Sequence, residues 1–90
     1  MPHRVLIAED EPNIVESLSF VLAREGFEVE AALDGEAAID RLRRQLPDLL
    51  ILDVMLPRLN GFEVLKRVKA DPALRALPVI VLTAKGQVQD

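Results

Sequence analysis

Two groups of acidic residues stand where aliphatic runs stop. Leu49-Leu50-Ile51-Leu52 ends on Asp53, and Val54-Met55-Leu56-Pro57 and Asn60-Gly61 follow. Val5-Leu6-Ile7-Ala8 ends on Glu9-Asp10-Glu11. The run before Asp53 is too short to span a bilayer and has no polar helical face, so it reads as a strand buried on both sides. A carboxylate at the end of such a strand lies where open α/β sheets place their ligands, although an aspartate opening a turn is the ordinary alternative. A third aliphatic run, Val79-Ile80-Val81-Leu82, ends on Thr83. In a parallel sheet Glu9, Asp10, Asp53 and Thr83 fall on one rim. Acids gathered there repel, and without compensation one of them holds its proton. A hard divalent cation resolves this, and Mg²⁺ commonly takes one or two carboxylates, waters and a phosphate oxygen. With one histidine, His3, and no cysteine, a zinc donor set is lacking. An acidic Mg²⁺ site beside a hydroxyl suits phosphoryl chemistry, with an aspartate attacking phosphorus.

The elements that must position these residues alternate along the chain. Arg4 to Ala8 reads as a buried strand. Pro12 to Glu25 reads as a helix, with Pro12 suited to the first turn, Ile14, Leu18, Val21 and Leu22 on one face, and Gly26 as a left-handed stop. Phe27 to Ala32 alternates as a strand near a sheet edge does. Asp34 is placed to cap a second helix from Gly35 to Leu46, with Ile39, Leu42 and Leu46 facing inward, and Pro47 breaks it. Asp48 to Asp53 is the third strand. Gly61 to Ala70 is the third helix, with Phe62, Leu65 and Val68 expected inward, and Pro78 to Thr83 is the fourth strand. Strands alternating with helices of this length predict βαβ units, right-handed crossovers and a doubly wound parallel sheet.

Composition bounds the rest. Ninety residues make one small domain, and with three phenylalanines as its only aromatic residues the core must be aliphatic. The net charge of −4 with mixed signs argues against a nucleic-acid surface. Arg41, Arg43 and Arg44, and then Lys66, Arg67 and Lys69, fit the solvated faces of helices. The absence of cysteine excludes disulfides and thiolate chemistry, and nothing resembles a signal peptide or a membrane span. The expected location is the cytoplasm, away from membranes.

Taken together, Val5-Leu6-Ile7-Ala8-Glu9-Asp10-Glu11-Pro12, the segment from Leu49 to Pro57 with Asn60-Gly61, and Val79-Ile80-Val81-Leu82-Thr83-Ala84 resemble the receiver domain of two-component response regulators. Asp34-Gly35 and Phe62-Glu63-Val64-Leu65 also fit that pattern, and the resemblance covers essentially the whole chain. It implies a flavodoxin-like sheet of strand order 2-1-3-4. It implies that Asp53 accepts a phosphoryl group from a phosphohistidine on a sensor histidine kinase or phosphotransfer protein. Asp10 corresponds to a direct Mg²⁺ ligand, Glu9 to an acid acting through a metal-bound water, and Met55 to a ligand through its backbone carbonyl. Thr83 corresponds to the hydroxyl that turns toward the phosphoryl group. An output domain or partner protein would read the switch. The reading is of a signalling switch, with self-catalysed phosphoryl transfer and hydrolysis only. Glu11 reads as a helix-start acid and Lys85 as solvent-exposed.

The pattern of this family continues beyond Asp90 with a fourth helix, a fifth strand bringing a lysine, and a fifth helix. Residues 1–90 are therefore expected to be a C-terminally incomplete receiver, exposing the fourth strand and, if the chain stops there, favouring self-association through it. The alternative is a phosphate-independent binding module of the same fold. A Mg²⁺-dependent phosphatase is disfavoured because Met55 stands where a second acid would follow the nucleophile. A flavin site is disfavoured by the lack of a Ser/Thr/Gly-rich loop after the first strand.

Overall fold

The computed structural model describes residues 3–82. The elements run β1 (Arg4–Ala8), α1 (Pro12–Arg24), β2 (Glu28–Ala32), α2 (Gly35–Arg44), β3 (Leu49–Asp53), α3 (Gly61–Ala70) and β4 (Val79–Leu82). All strand pairs are parallel and the order is β2-β1-β3-β4. This is the doubly wound sheet that the alternation of elements predicts, in the strand order that the family resemblance implies. Ala8 lies beside Ala32 on one side and Leu52 on the other, and Asp53 lies beside Leu82. That register is what makes one rim out of separate chain segments.

Alternate residues of a strand point to opposite faces, and the two faces here carry separate cores. Leu6, Ala8, Leu50 and Leu52 pack with Ala38, Ile39 and Leu42 of α2 and Val64 and Val68 of α3. Val5, Ile7 and Ile51 face the other way, against Leu18 and Leu22 of α1 and Phe27. The second core is thinner. No residue of α1 is fully buried, and Ile14 and Val21, expected on its inner face, are exposed, as are Ile80 and Val81 of β4. Among the described residues α1 alone covers that face, and β4 is the outer strand beside β3.

The stripes of α2 and α3 also differ from the expected ones. Helix α2 stops at Arg44, and Gln45 is extended at φ −155° and ψ 115°, so Leu46 falls beyond the helix and is exposed. In α3 the buried positions are Gly61, Val64 and Val68, whereas Phe62 is 66% exposed. The cause is Gly61. A Cβ there would lie 2.3 Å from the Asp53 carbonyl oxygen, so the helix enters with this residue pressed on the end of β3. At about 100° per residue, Val64, Leu65 and Val68 then share its side and Phe62 is turned away.

The helix starts follow the expected chemistry. Asp34 Oδ1 accepts from the Ala37 amide at 2.8 Å, and Asn60 Oδ1 accepts from the Glu63 amide at 2.9 Å. Gly26 takes φ +94° after α1. Replacing Asn60 by alanine strands the Glu63 amide, and a loss of about 1 kcal/mol in urea-unfolding stability is expected. An Asn60→Asp variant, which keeps the acceptor, should lose little by the same measurement.

Candidate functional site at the carboxyl rim of the sheet

The rim is built by the carboxyl ends of all four strands. Glu9 directly follows β1, and its amide donates to the Ala32 carbonyl at 3.0 Å, which fixes it beside β2. Asp53 is the last residue of β3, and the next amide, of Val54, donates to the Leu82 carbonyl at 3.2 Å. Glu9 is 2% and Asp53 7% exposed, while Asp10 stands in solvent. One carboxylate oxygen from each of Glu9, Asp10 and Asp53 lies within 4.8 Å of the others.

Local hydrogen bonds orient the buried pair. Glu9 Oε2 accepts from the Glu11 amide at 3.0 Å, and Asp53 Oδ1 accepts from the Met55 amide at 3.1 Å. The Met55 side chain itself is exposed, so this residue serves the rim through its backbone. Burial pushes the Glu9 carboxyl above its ordinary range, and the negative charges of Asp53 and Asp10 push it further the same way. The Glu11 amide opposes them without reversing the direction. The opposite rim shows the contrast. There Asp48 accepts from the Arg4 amide at 2.7 Å and lies 3.5 Å from His3, and its carboxyl is held below the ordinary range, first by that amide and then by His3.

An all-oxygen set of three carboxylates, two of them buried together, has the chemistry of a hard divalent cation site. The sole histidine is at the other rim and there is no cysteine, so no imidazole or thiolate joins the carboxylates among the described residues. Glu9, Asp10 and Asp53 are thus brought together as the sequence suggests. Glu11 contributes its amide and is absent from the carboxylate group. Thr83 and Lys85 lie outside the described residues. Leu82, just before Thr83, is in register with Asp53.

The loop from Val54 to Asn60 holds what sequence reasoning passed over. The Gly61 amide donates to the Val54 carbonyl at 3.1 Å, and the Pro57 carbonyl receives both the Leu59 amide at 2.8 Å and the Gly35 amide at 3.3 Å. Arg58, between Pro57 and Leu59, has φ +67°, the one positive value at a non-glycine among the described residues. A bond from residue i+2 back to residue i around a positive φ is the rarer γ-turn. Nothing in an arginine's side-chain type foretells that conformation.

Comparison with known proteins agrees with this geometry. Residues 5–90 match the family described as the response regulator receiver domain. The chain is 44% identical over 89 residues to the probable transcriptional regulatory protein TcrX of Mycobacterium tuberculosis, covering 99% of this chain and 37% of that protein. It is 40% identical over 90 residues to the phosphate regulon transcriptional regulatory protein PhoB of Escherichia coli, covering 100% of this chain and 39% of that one. The crystal structure of a putative response regulator from Chloroflexus aurantiacus superposes with a TM-score of 0.92 at 41% identity, covering 98% of this chain and 72% of that one. The chain thus spans about two fifths of the length of these curated relatives. With matching fold, matching order of strands and a family match reaching from the first strand to the last residue, the chain belongs to the response regulator receiver domain family.

Proposed function

We propose that this chain is the phosphoacceptor receiver of a two-component system, with Asp53 as the acceptor. The observation that carries the reading is the convergence of Glu9, Asp10 and Asp53 within 4.8 Å on one rim, with Asp53 oriented by the Met55 amide. An Asp53 carboxylate oxygen forms a bond to phosphorus as the P–N bond of a phosphohistidine donor breaks, and the released imidazole nitrogen takes up a proton. Asp10, Asp53 and the Met55 backbone carbonyl would hold Mg²⁺ directly, and Glu9 through water. A cation bound there neutralises charge on both the carboxylates and the phosphoryl oxygens. The new phosphoryl oxygens at the end of β3 draw in the Thr83 hydroxyl, and the surface along β4 changes for an output domain or partner protein. The donor is a sensor histidine kinase or a phosphotransfer protein, which fits the transcriptional regulators among the relatives.

Intact-mass spectrometry after incubation with acetyl phosphate tests the reading. A single phosphoryl adduct is expected that requires Mg²⁺ and is abolished by Asp53→Asn. An adduct that survives Asp53→Asn would overturn the assignment. No adduct on the wild-type chain or on a version extended beyond Asp90 would favour the phosphate-independent module.

A further inference from the structure

Arg58 is exposed and sits in a backbone conformation that arginine adopts at a cost. Its side chain reaches back across the start of α2. Nε lies 3.7 Å from Asp34 Oδ2, and Nη1 lies 3.7 Å from Glu36 Oε1. Asp34 uses its other oxygen, Oδ1, to cap α2, so one carboxylate serves both the helix and the arginine. Beneath this contact the two backbones are locked together. Gly35 donates to the Pro57 carbonyl, and a Cβ on Gly35 would lie 1.8 Å from the Leu59 carbonyl oxygen. The same loop, at its other end, delivers the Met55 amide to Asp53.

We propose that Arg58 is a positioning residue for the rim. It clasps the Asp53–Asn60 loop to the start of α2 through Asp34 and Glu36, and so holds the Met55 backbone against Asp53. The two ion pairs favour the turn that the left-handed backbone disfavours, and the Pro57 carbonyl shared by Leu59 and Gly35 is the hinge they close. Because Arg58 and Glu36 are exposed and Asp34 is only partly buried, salt weakens the clasp. The consequence for Mg²⁺ affinity rests on the rim being the metal site. The clasp itself does not.

Amide hydrogen exchange on the full metal-free chain tests the clasp directly. In Arg58→Ala the Leu59, Gly35 and Met55 amides should exchange about fivefold faster at low salt, with Val64 and Ala38 inside the helices unchanged. Arg58→Lys should recover part of the protection. The double variant Asp34→Asn with Glu36→Gln should reproduce the loss, since asparagine keeps the cap and removes the charge. At 1 M salt the wild type should converge on the variants. Unchanged exchange at Leu59 and Gly35 in both Arg58→Ala and the double variant would overturn the clasp. Titration with Mg²⁺ alone then reads its reach, and a several-fold weaker binding by Arg58→Ala is expected. Faster exchange with unaltered Mg²⁺ affinity would overturn the link to the rim. A wild type that binds no Mg²⁺ would overturn the metal reading and that link, while the exchange result on the clasp would stand.

Discussion

Gly61→Ala should unfold at markedly lower urea concentration than the wild type and lose phosphoryl adduct formation. The added Cβ would sit 2.3 Å from the Asp53 carbonyl oxygen, 2.6 Å from the Val54 Cα and 2.9 Å from the Asp53 carbonyl carbon. All three are backbone atoms of the β3 end, so no rotamer change can make room. Helix α3 must move off the strand, which stretches the 3.1 Å bond from the Gly61 amide to the Val54 carbonyl and disturbs Val64 and Val68 in the core. Overpacking of this kind costs about 1–3 kcal/mol, and more where backbone rather than side chains must give way. Asp53 shifts with the strand end, so chemistry and stability fall together. Gly26→Ala is the control. It has φ +94° with nothing within 4 Å of the added carbon, so it carries only the left-handed penalty of about 1–2 kcal/mol. Equal losses in the two variants would refute the packing argument, since they share the chemistry of substitution and differ in what the methyl meets.

The same glycine shows where sequence reasoning reaches and where it stops. Three strands and the rim are legible because aliphatic runs of strand length stop at Glu9, Asp53 and Thr83, the remaining strand is legible from the alternation of Phe27 to Ala32, and a parallel sheet has one carboxyl edge. The cap at Asp34 is legible because its residue type is the mechanism. The rotation of α3 is not legible. Phe62 is the bulkiest apolar residue of that helix, and periodicity alone turns it inward, but the close approach of Gly61 to β3 decides the face. Leu46 escapes for a related reason, because Gln45 leaves the helical conformation before Pro47 enforces the break. Arg58 is hidden more deeply. Its conformation comes from the Pro57–Leu59 turn and its partners from a helix more than twenty positions earlier in the chain, and neither is encoded in local spacing. Chemistry at strand ends is thus readable from residue types, whereas the contacts that aim it depend on how backbones meet.

Glu9→Gln should raise stability at neutral pH and leave it unchanged in acid. Two unit charges 4.8 Å apart interact by about 1–3 kcal/mol at the effective dielectric of a partly wet rim, and Glu9 faces such a charge on Asp53 and another on Asp10. Glutamine keeps an oxygen to accept from the Glu11 amide, so the variant removes charge and little else. The sign with pH follows from the direction of the shift. Burial raises the Glu9 carboxyl in the folded protein above its ordinary value of 4.5, so the folded state favours the protonated form. That contribution is complete below the unfolded value and is lost as pH climbs through the folded one. The gap between Glu9→Gln and wild type should therefore be near zero in acid, open upward from about pH 4.5, and be widest at pH 7. Thermal melts across that range without divalent ions would record it. Mg²⁺ should reverse the ranking at pH 7. Repulsion among the three carboxylates becomes attraction to the cation, so the wild type gains more from it than Glu9→Gln does. A gap that is the same at pH 4 and pH 7, or that Mg²⁺ leaves untouched, would mean that Glu9 acts at this rim as a packed side chain and not as a charge.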